Sequence, residues 1–275
     1  MFSSLLQISG VPFRLDDSLA LTIIAVSIFG CVAHFFREII YGRRGQRWNM
    51  VFEQIERYDK IQIVIHWLFL ALLLGLFITG VFIYKMDYFS NVSPQIASVG
   101  LRNWVAYHWY FSIAVINLGI FHIVYDSLII RKFREAWVSR LDIANMKAII
   151  QNFTARTKEY PRLEKLHPMQ KMFHWAIFVD IFLLGFTGLT IWEPFQGFIQ
   201  ASGLDAFNDW LYIFKSRFLH DILTFTLVGL IIGHFYFSTL IPTNWKVFRG
   251  IIYGRLKIEE EAEQKKQAEQ TSKQQ

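Results

Sequence analysis

Residues 218–241 read FLHDILTFTLVGLIIGHFYFSTLI and decide the fold class. The stretch carries one charged residue, Asp221, and is long enough to cross the roughly 30 Å hydrocarbon core of a bilayer as a helix. Similar stretches occupy Ser18–Phe36, Ile61–Tyr84, Asn103–Tyr125 and Met172–Trp192. The chain of 275 residues is 53% hydrophobic, and the segments between these stretches are too short for a soluble catalytic domain. The sequence therefore predicts an all-α integral membrane protein with five transmembrane helices.

The basic residues are distributed unevenly among the connecting segments. Of the 28 Lys and Arg residues, 23 lie in residues 37–60, 131–171 and 246–273, and five lie on the other side of the predicted membrane. The positive-inside rule assigns the three basic segments to the cytoplasm. We therefore expect a multi-pass protein of the inner (cytoplasmic) membrane with its N-terminus outside and its C-terminus in the cytoplasm. This orientation and contact with anionic lipid explain the net charge of +6 without a nucleic-acid partner.

Two pairs of predicted helices repeat the same residues at the same spacing. Each pair contains a His-Trp dipeptide, a Thr-Gly dipeptide thirteen residues later, and two histidines fourteen residues apart in the next helix. The residues are His66-Trp67, Thr79-Gly80, His108 and His122 in the first pair, and His174-Trp175, Thr187-Gly188, His220 and His234 in the second. The chain is therefore predicted to be a duplicated two-helix unit with an added first helix.

The spacing places the six repeated histidines at two depths. Over fourteen residues an α-helix rotates to within about 40° of a whole number of turns and rises about 21 Å. Both histidines of one helix therefore face the same way and lie near opposite membrane surfaces. We expect two of the six near the outside, His108 and His220. We expect the other four near the cytoplasm, namely His66, His122, His174 and His234. Two imidazoles at one level can bind haem iron axially and give a b-type haem suited to electron transfer. A single membrane histidine can instead hydrogen-bond a neighbouring helix, but six at matched depths favour haem.

Three further residues are informative outside the repeat pattern. Cys31 is the single cysteine, which excludes an intrachain disulfide, a four-cysteine iron–sulfur cluster and c-type haem attachment. His34 lies outside the repeat and is predicted to be a structural histidine. Asp180 lies inside a predicted helix, where an acid costs roughly 2.5–3.5 kcal/mol. Proton transfer, contact with a haem propionate and pairing with Ser or Thr all stay open for Asp180.

Several motifs resemble the cytochrome b (gamma) subunit of respiratory formate dehydrogenase, within the group that includes the nickel–iron hydrogenase cytochrome b. The resemblance covers roughly Tyr58 to Leu256. Its motifs are His66-Trp67 with Thr79-Gly80, Tyr160-Pro161 leading to Gln170-Lys171-Met172-Phe173, Thr187-Gly188 followed by Ile191-Trp192-x-Pro194, His220-x13-His234, and Gly250-Ile251-Ile252-Tyr253-Gly254. The second half of the chain carries the more specific motifs.

The resemblance implies a four-helix domain with two b-type haems and a quinone site near the cytoplasmic haem. By position it implies an outer haem between His108 and His220 and an inner haem between His66 and His234. The implied quinone contacts are His167, with Gln170 close by, for menaquinone or ubiquinone. On this basis residues 58–256 form the cytochrome domain, residues 1–57 add a transmembrane helix and a basic cytoplasmic loop, and residues 257–275 form a polar tail.

The sequence departs from that family at the first helix and at two histidines. His122 and His174 are extra potential ligands, and the repeat relates them to the His66–His234 pair. A third haem between them is therefore a symmetric possibility. His122 could also replace His66 as the partner of His234, so the sequence leaves two and three haems open.

The expected function is that of a membrane-anchoring electron-transfer subunit of a respiratory oxidoreductase complex. It would pass electrons between an iron–sulfur partner subunit, joined to a catalytic oxidoreductase subunit, and the quinone pool. The alternatives are a quinol-oxidising subunit that feeds a terminal reductase, and a stand-alone cytochrome b acting on superoxide or ferric iron. The only chemistry expected on this chain itself is quinone reduction or quinol oxidation.

Overall fold

A computed structural model describes residues 15–37, 58–153, 168–204, 217–240 and 245–253, and the regular structure of these residues is helical. The five long helices are α1 (Leu15–Arg37), α2 (Lys60–Tyr84), α5 (Leu101–Val124), α7 (Pro168–Ile191) and α9 (Arg217–Phe235). The shorter helices are α3 (Met86–Val92), α4 (Pro94–Val99), α6 (Arg140–Phe153), α8 (Glu193–Ala201) and α10 (Trp245–Tyr253). A 3-10 turn covers Phe133–Ala136, and π-helical turns cover Tyr125–Ile129 and Tyr236–Leu240.

Five of the described helices are long and apolar enough to cross a membrane. They run Asp17–Arg37, Lys60–Tyr84, Leu101–Ile129, Pro168–Ile191 and Arg217–Leu240. The predicted all-α membrane architecture is confirmed, and most predicted ends agree to within one or two residues. The third span is longer than predicted because a π-helical turn continues α5 to Ile129.

The long helices pack as two antiparallel pairs. α2 lies along α5, and α7 lies along α9. The first pair is in close contact at Gly75, where a Cβ atom would lie 2.6 Å from the ring of Phe111. Only glycine allows this ring to lie against the helix without a shift. The duplicated helix pair that the repeat predicted is therefore the packing unit of the fold.

The two pairs share local features at equivalent positions. In each pair a π-helical turn begins within three residues of the second histidine, after His122 in one and after His234 in the other. Such turns interrupt an α-helix and are frequent at functional sites. α2 itself begins with a capping box in which Asp59 accepts from the backbone of Gln62, and the Gln62 side chain accepts from the backbone of Asp59.

The added helix α1 packs along α9. At Gly229 the two helices are so close that a Cβ atom would lie 2.6 Å from Oγ of Ser27. His34 Nδ1 lies 2.9 Å from the hydroxyl of Tyr236, as expected for a structural histidine. At the other end of α1, Asp17 accepts a hydrogen bond from Tyr84 and pairs with Lys85, both at the end of α2. The added helix therefore contacts both helix pairs.

Candidate functional site

The six repeated histidines form three facing pairs. The ring centroids of His108 and His220 are 6.5 Å apart, those of His66 and His234 are 6.3 Å apart, and those of His122 and His174 are 6.1 Å apart. We call the end of the bundle where α2 and α7 begin the His66 end, and the opposite end the His108 end. The first pair lies at the His108 end, and the other two pairs lie at the His66 end. The structure thus brings together the histidines that the sequence placed at equal depths.

These separations match two imidazoles that share one metal ion. A metal–nitrogen bond of about 2.0–2.1 Å, added to about 1.1 Å from the nitrogen to the ring centroid, puts two opposed rings about 6.3 Å apart. Among the described residues, no group of three or more His, Cys, Asp or Glu side chains could hold a metal ion. A bare ion normally needs three or four protein ligands. Facing pairs therefore suit an iron atom that brings four ligands of its own, as in haem.

Two threonines orient the pair at the His108 end. The Thr79 hydroxyl donates to the carbonyl of Gly75, and its oxygen lies 2.9 Å from Nδ1 of His108. Thr187 repeats the arrangement, with its hydroxyl donating to Leu183 and its oxygen 2.9 Å from Nδ1 of His220.

With each hydroxyl proton directed to a carbonyl, the histidine Nδ1–H donates to the threonine oxygen. This hydrogen bond leaves Nε2 of both rings unprotonated and able to bind a metal. The thirteen-residue spacing from His to Thr in the sequence is the signal of this contact.

The helices that carry the facing histidines are held apart. Each histidine pair joins two helices that do not pack along their length, namely α5 with α9, α2 with α9, and α5 with α7. All six imidazoles keep accessible surface although they face the interior of the bundle. The residues present therefore fit a flat group that would be held by one histidine from each of two separated helices.

Tryptophans connect the two helix pairs in a symmetric way. Trp67 Nε1 donates to the carbonyl of Ile251 in α10, which follows the second pair. Trp175 Nε1 donates to the carbonyl of Ala136, which follows the first pair. Each His-Trp dipeptide thus presents one imidazole to the bundle interior and one indole to the other unit. This is the local reason why the two units face each other with their histidines in register.

The residues predicted for quinone binding have different outcomes. His167 lies outside the described residues. Gln170 is half-buried in the first turn of α7, at the His66 end. The adjacent Lys171 is buried and lies 2.9 Å from Asp142 of α6. This ion pair fixes α6 beside the start of α7.

Asp142 also forms a reciprocal cap with Ser139, because each residue accepts a hydrogen bond from the backbone of the other. Burial by itself would raise the pKa of Asp142, but hydrogen bonds from Ser139 and Lys171 outweigh it and hold the pKa below its ordinary value. The carboxylate is therefore charged at neutral pH and binds Lys171. The ion pair thus connects α6 to the start of α7.

Two acidic side chains inside the spans behave differently. Asp180 is 5% exposed, and its Oδ2 atom has no hydrogen-bond partner among the described residues. Pairing with Ser or Thr is therefore not seen at that atom. Asp126 accepts from the Gln62 side chain and lies 3.7 Å from Nε2 of His122. Sequence reasoning missed Asp126, although its position four residues after His122 places the two on one helix face.

Comparison with known families agrees with this geometry. The sequence profile of the prokaryotic cytochrome b561 family matches residues 57–254. A comparison with curated proteins finds no match. The profile covers both helix pairs and all six facing histidines, it is consistent with a cytochrome b of the hydrogenase or formate dehydrogenase type, and it implies haem b and transmembrane electron transfer. The chain belongs to the prokaryotic cytochrome b561 family.

Proposed function

We propose that this chain is the membrane-anchoring b-type cytochrome subunit of a respiratory oxidoreductase complex. It passes electrons across the bilayer between an iron–sulfur partner subunit and the quinone pool. One observation carries the proposal: two facing histidine pairs, His108–His220 and His66–His234, lie at opposite ends of one membrane-spanning bundle. The fourteen residues between His220 and His234 correspond to about 21 Å along α9. The two pairs therefore serve the two halves of the bilayer.

The residues of the chain hold and orient the redox groups. His108 and His220 would hold the haem at one end, and His66 and His234 would hold the haem at the other end. Haem b, when bound, supplies a reversible one-electron centre. The Thr79 oxygen accepts a hydrogen bond from Nδ1–H of His108 and so fixes the orientation of the His108 ring. The same hydrogen bond would raise the basicity of Nε2, the nitrogen that would hold the haem. The apolar spans exclude water from these positions.

The distribution of charge sets the proposed direction across the membrane. The basic segments adjoin the His66 end, so we assign this end to the cytoplasm and the His108 end to the outside. The iron–sulfur partner and its catalytic subunit then dock at the outside. Reduction of one quinone takes two electrons from the partner and two protons from the cytoplasm. This arrangement moves charge across the bilayer during each turnover.

Quinone binding is proposed at the His66 end. Gln170 is half-buried at the membrane edge, where an amide can donate a hydrogen bond to a quinone carbonyl. His167, three residues earlier, is proposed as the second contact. The buried Lys171–Asp142 pair holds α6 beside Gln170 and so gives the site a fixed wall. The reverse reaction, quinol oxidation that feeds a terminal reductase, uses the same residues, and the redox measurements below separate the two directions.

Haem content is the first test. The full chain, purified in detergent, is assayed for haem by the pyridine haemochrome method and for protein by amino-acid analysis. Replacement of either His108 or His220 by Ala should remove one haem and leave the spectrum of the inner haem unchanged. The matched control is His34→Ala, which removes a membrane histidine outside the pairs. A wild-type chain without haem, or outer-pair variants with full haem content, would contradict the proposal.

Quinone exchange is the second test. The dithionite-reduced chain is mixed with decylubiquinone or menadione, and the reoxidation of haem is followed by stopped-flow absorbance. Gln170→Ala and His167→Ala should slow reoxidation by about 10-fold or more, as expected for loss of a hydrogen bond from a buried polar contact. Gln95→Ala changes an exposed glutamine near the His108 end and should have no effect. Equal rates in all variants would contradict the assigned quinone site. The oxidised chain is also mixed with the corresponding quinols. If the quinols reduce its haem faster than the quinones reoxidise the reduced haem, the result would favour the reverse direction.

A further inference from the structure

The third histidine pair is not needed for two haems. His122 of α5 and His174 of α7 face each other at the His66 end with ring centroids 6.1 Å apart and ring planes at 64°. This arrangement is close to that of the His66–His234 pair, which has 6.3 Å and 53°. The similarity requires a physical cause.

The duplication of the chain supplies that cause. His66 and His174 occupy the same place in the two helix pairs, and so do His122 and His234. Exchange of the two pairs therefore converts the His66–His234 contact into a His174–His122 contact. The hydrogen bond that Trp67 donates to the other helix pair agrees with this exchange, and so do the matching π-helical turns. The fold thus builds two equivalent positions at the His66 end.

The polar atoms of this pair point to a metal ligand. Nδ1 of His122 is buried and has no hydrogen-bond partner among the described residues. A buried polar atom in that condition is unfavourable unless another group binds it. The opposite nitrogen, Nε2, lies 3.7 Å from Oδ2 of Asp126. A carboxylate that approaches one ring nitrogen of a histidine can orient the ring so that the second nitrogen binds a metal.

The surroundings of the pair suit a flat aromatic group. A cavity beside His122 and His174 is lined by Asp126 and by the rings of Phe133, Trp175 and Phe178. Aromatic rings pack well against the face or edge of another π-system. His174 itself is exposed, so its ring is accessible from this cavity. The chemistry of the lining therefore agrees with a porphyrin.

We propose that His122 and His174 ligate a third b-type haem, next to the haem of His66 and His234. The inference rests on the proposed function, because it assumes that the other two histidine pairs hold haem. His66 and His174 each lie six residues after the first residue of α2 and α7, so the two positions lie at the same end of the bundle. Two one-electron centres at one end match the two electrons that a quinone takes. The third site therefore suits a chain that delivers electrons in pairs.

The test is the haem-to-protein ratio of the purified full chain, combined with a potentiometric titration of the haem absorbance. The wild-type chain should bind three haems and titrate as three one-electron components. The double variant His122→Gln/His174→Gln should bind two haems and lose one component, while the band of the His108–His220 haem is retained. His34→Ala should retain three.

Each result separates the two proposals. A wild-type ratio of two, with no loss in the double variant, overturns the third haem and leaves the proposed function intact. A ratio of two that falls to one in the double variant also overturns it, because His122 or His174 then serves the single inner haem. A ratio of zero contradicts the proposed function itself. The wild-type measurement needs no substitution, so a variant that fails to fold does not prevent a decision.

Discussion

Removal of the threonine hydroxyl at the His108 end tests the proposed orientation of the axial ligands. Thr79→Val and Thr187→Val keep the shape of the side chain and remove the oxygen that lies 2.9 Å from each histidine Nδ1. Thr79 is 3% exposed and Thr187 is 0% exposed, so water cannot take the place of the hydroxyl. Each variant therefore leaves a buried Nδ1–H without its threonine acceptor.

The expected cost follows from that unpaired group. A buried unsatisfied donor costs about 1–3 kcal/mol, which corresponds to a roughly 5–150-fold change in an equilibrium constant. Loss of such a partner to a metal-binding histidine typically lowers metal affinity about 10–100-fold. We therefore expect each valine variant to release the outer haem at least about 10-fold faster than the wild-type chain. In the double variant the rate of haem release should increase by less than the product of the two single increases, because both threonines act on one proposed haem.

Haem transfer to excess apomyoglobin measures this release. The purified chain is mixed with the acceptor, and the absorbance change is resolved into outer and inner haem. The inner haem is an internal control, since its release should not change. Thr79→Ser and Thr187→Ser keep the hydroxyl and should release haem at nearly the wild-type rate. Valine variants within twofold of the wild-type rate, or serine variants as fast as valine, would refute the orienting role.

Three further predictions concern the supporting structure. Asp142→Asn or Lys171→Met removes one member of a buried ion pair and should lower the free energy of unfolding by about 3 kcal/mol in thermal melts followed by circular dichroism. The pKa of Asp142 is lowered on folding, so its stabilising contribution is present at neutral pH and is lost below about pH 4, and this loss should be absent in Asp142→Asn. Gly229→Ala places a methyl group against Ser27 Oγ, which must leave its hydrogen bond to Ile23 or move with α1, and should cost about 1–3 kcal/mol in the same melts. The double variant Gly229→Ala/Ser27→Ala removes the clashing oxygen and should recover stability, and a double variant as unstable as Gly229→Ala would contradict this reasoning. His34→Ala should destabilise the chain by about 1 kcal/mol through loss of its hydrogen bond, while the measured potentials of all haems stay unchanged.

The placement of the histidines could be predicted because a helix converts sequence spacing into depth and direction. Fourteen residues between His108 and His122 fix both quantities on a straight helix, and the same spacing in α9 puts its ligands at the same two levels. The repeat then predicts facing pairs before any coordinates are known. The π-helical turns follow the second histidine and therefore leave the register between the two histidines unchanged.

Other parts of the site could not be predicted from spacing alone. The contact between Thr79 and His108 depends on the side-chain conformation and on the distance between two helices, which no single-helix argument provides. The choice of α9 as the neighbour of α1 depends on the close approach at Gly229, and a glycine in an apolar span has many possible neighbours. The cap formed by Ser139 and Asp142 was missed because an aspartate replaces the usual Glu or Gln of this motif.

The contacts of α1 have a consequence for the assembly of the protein. α1 packs on α9 along its length, and Asp17 pairs with Lys85 at the end of α2. The helix therefore connects the two units through contacts that involve no cofactor ligand. Chain segments that are already held in position lose less conformational freedom when a ligand binds. The packing of α1 on α9 and its ion pair with the end of α2 need no haem, so these contacts can form before any haem binds.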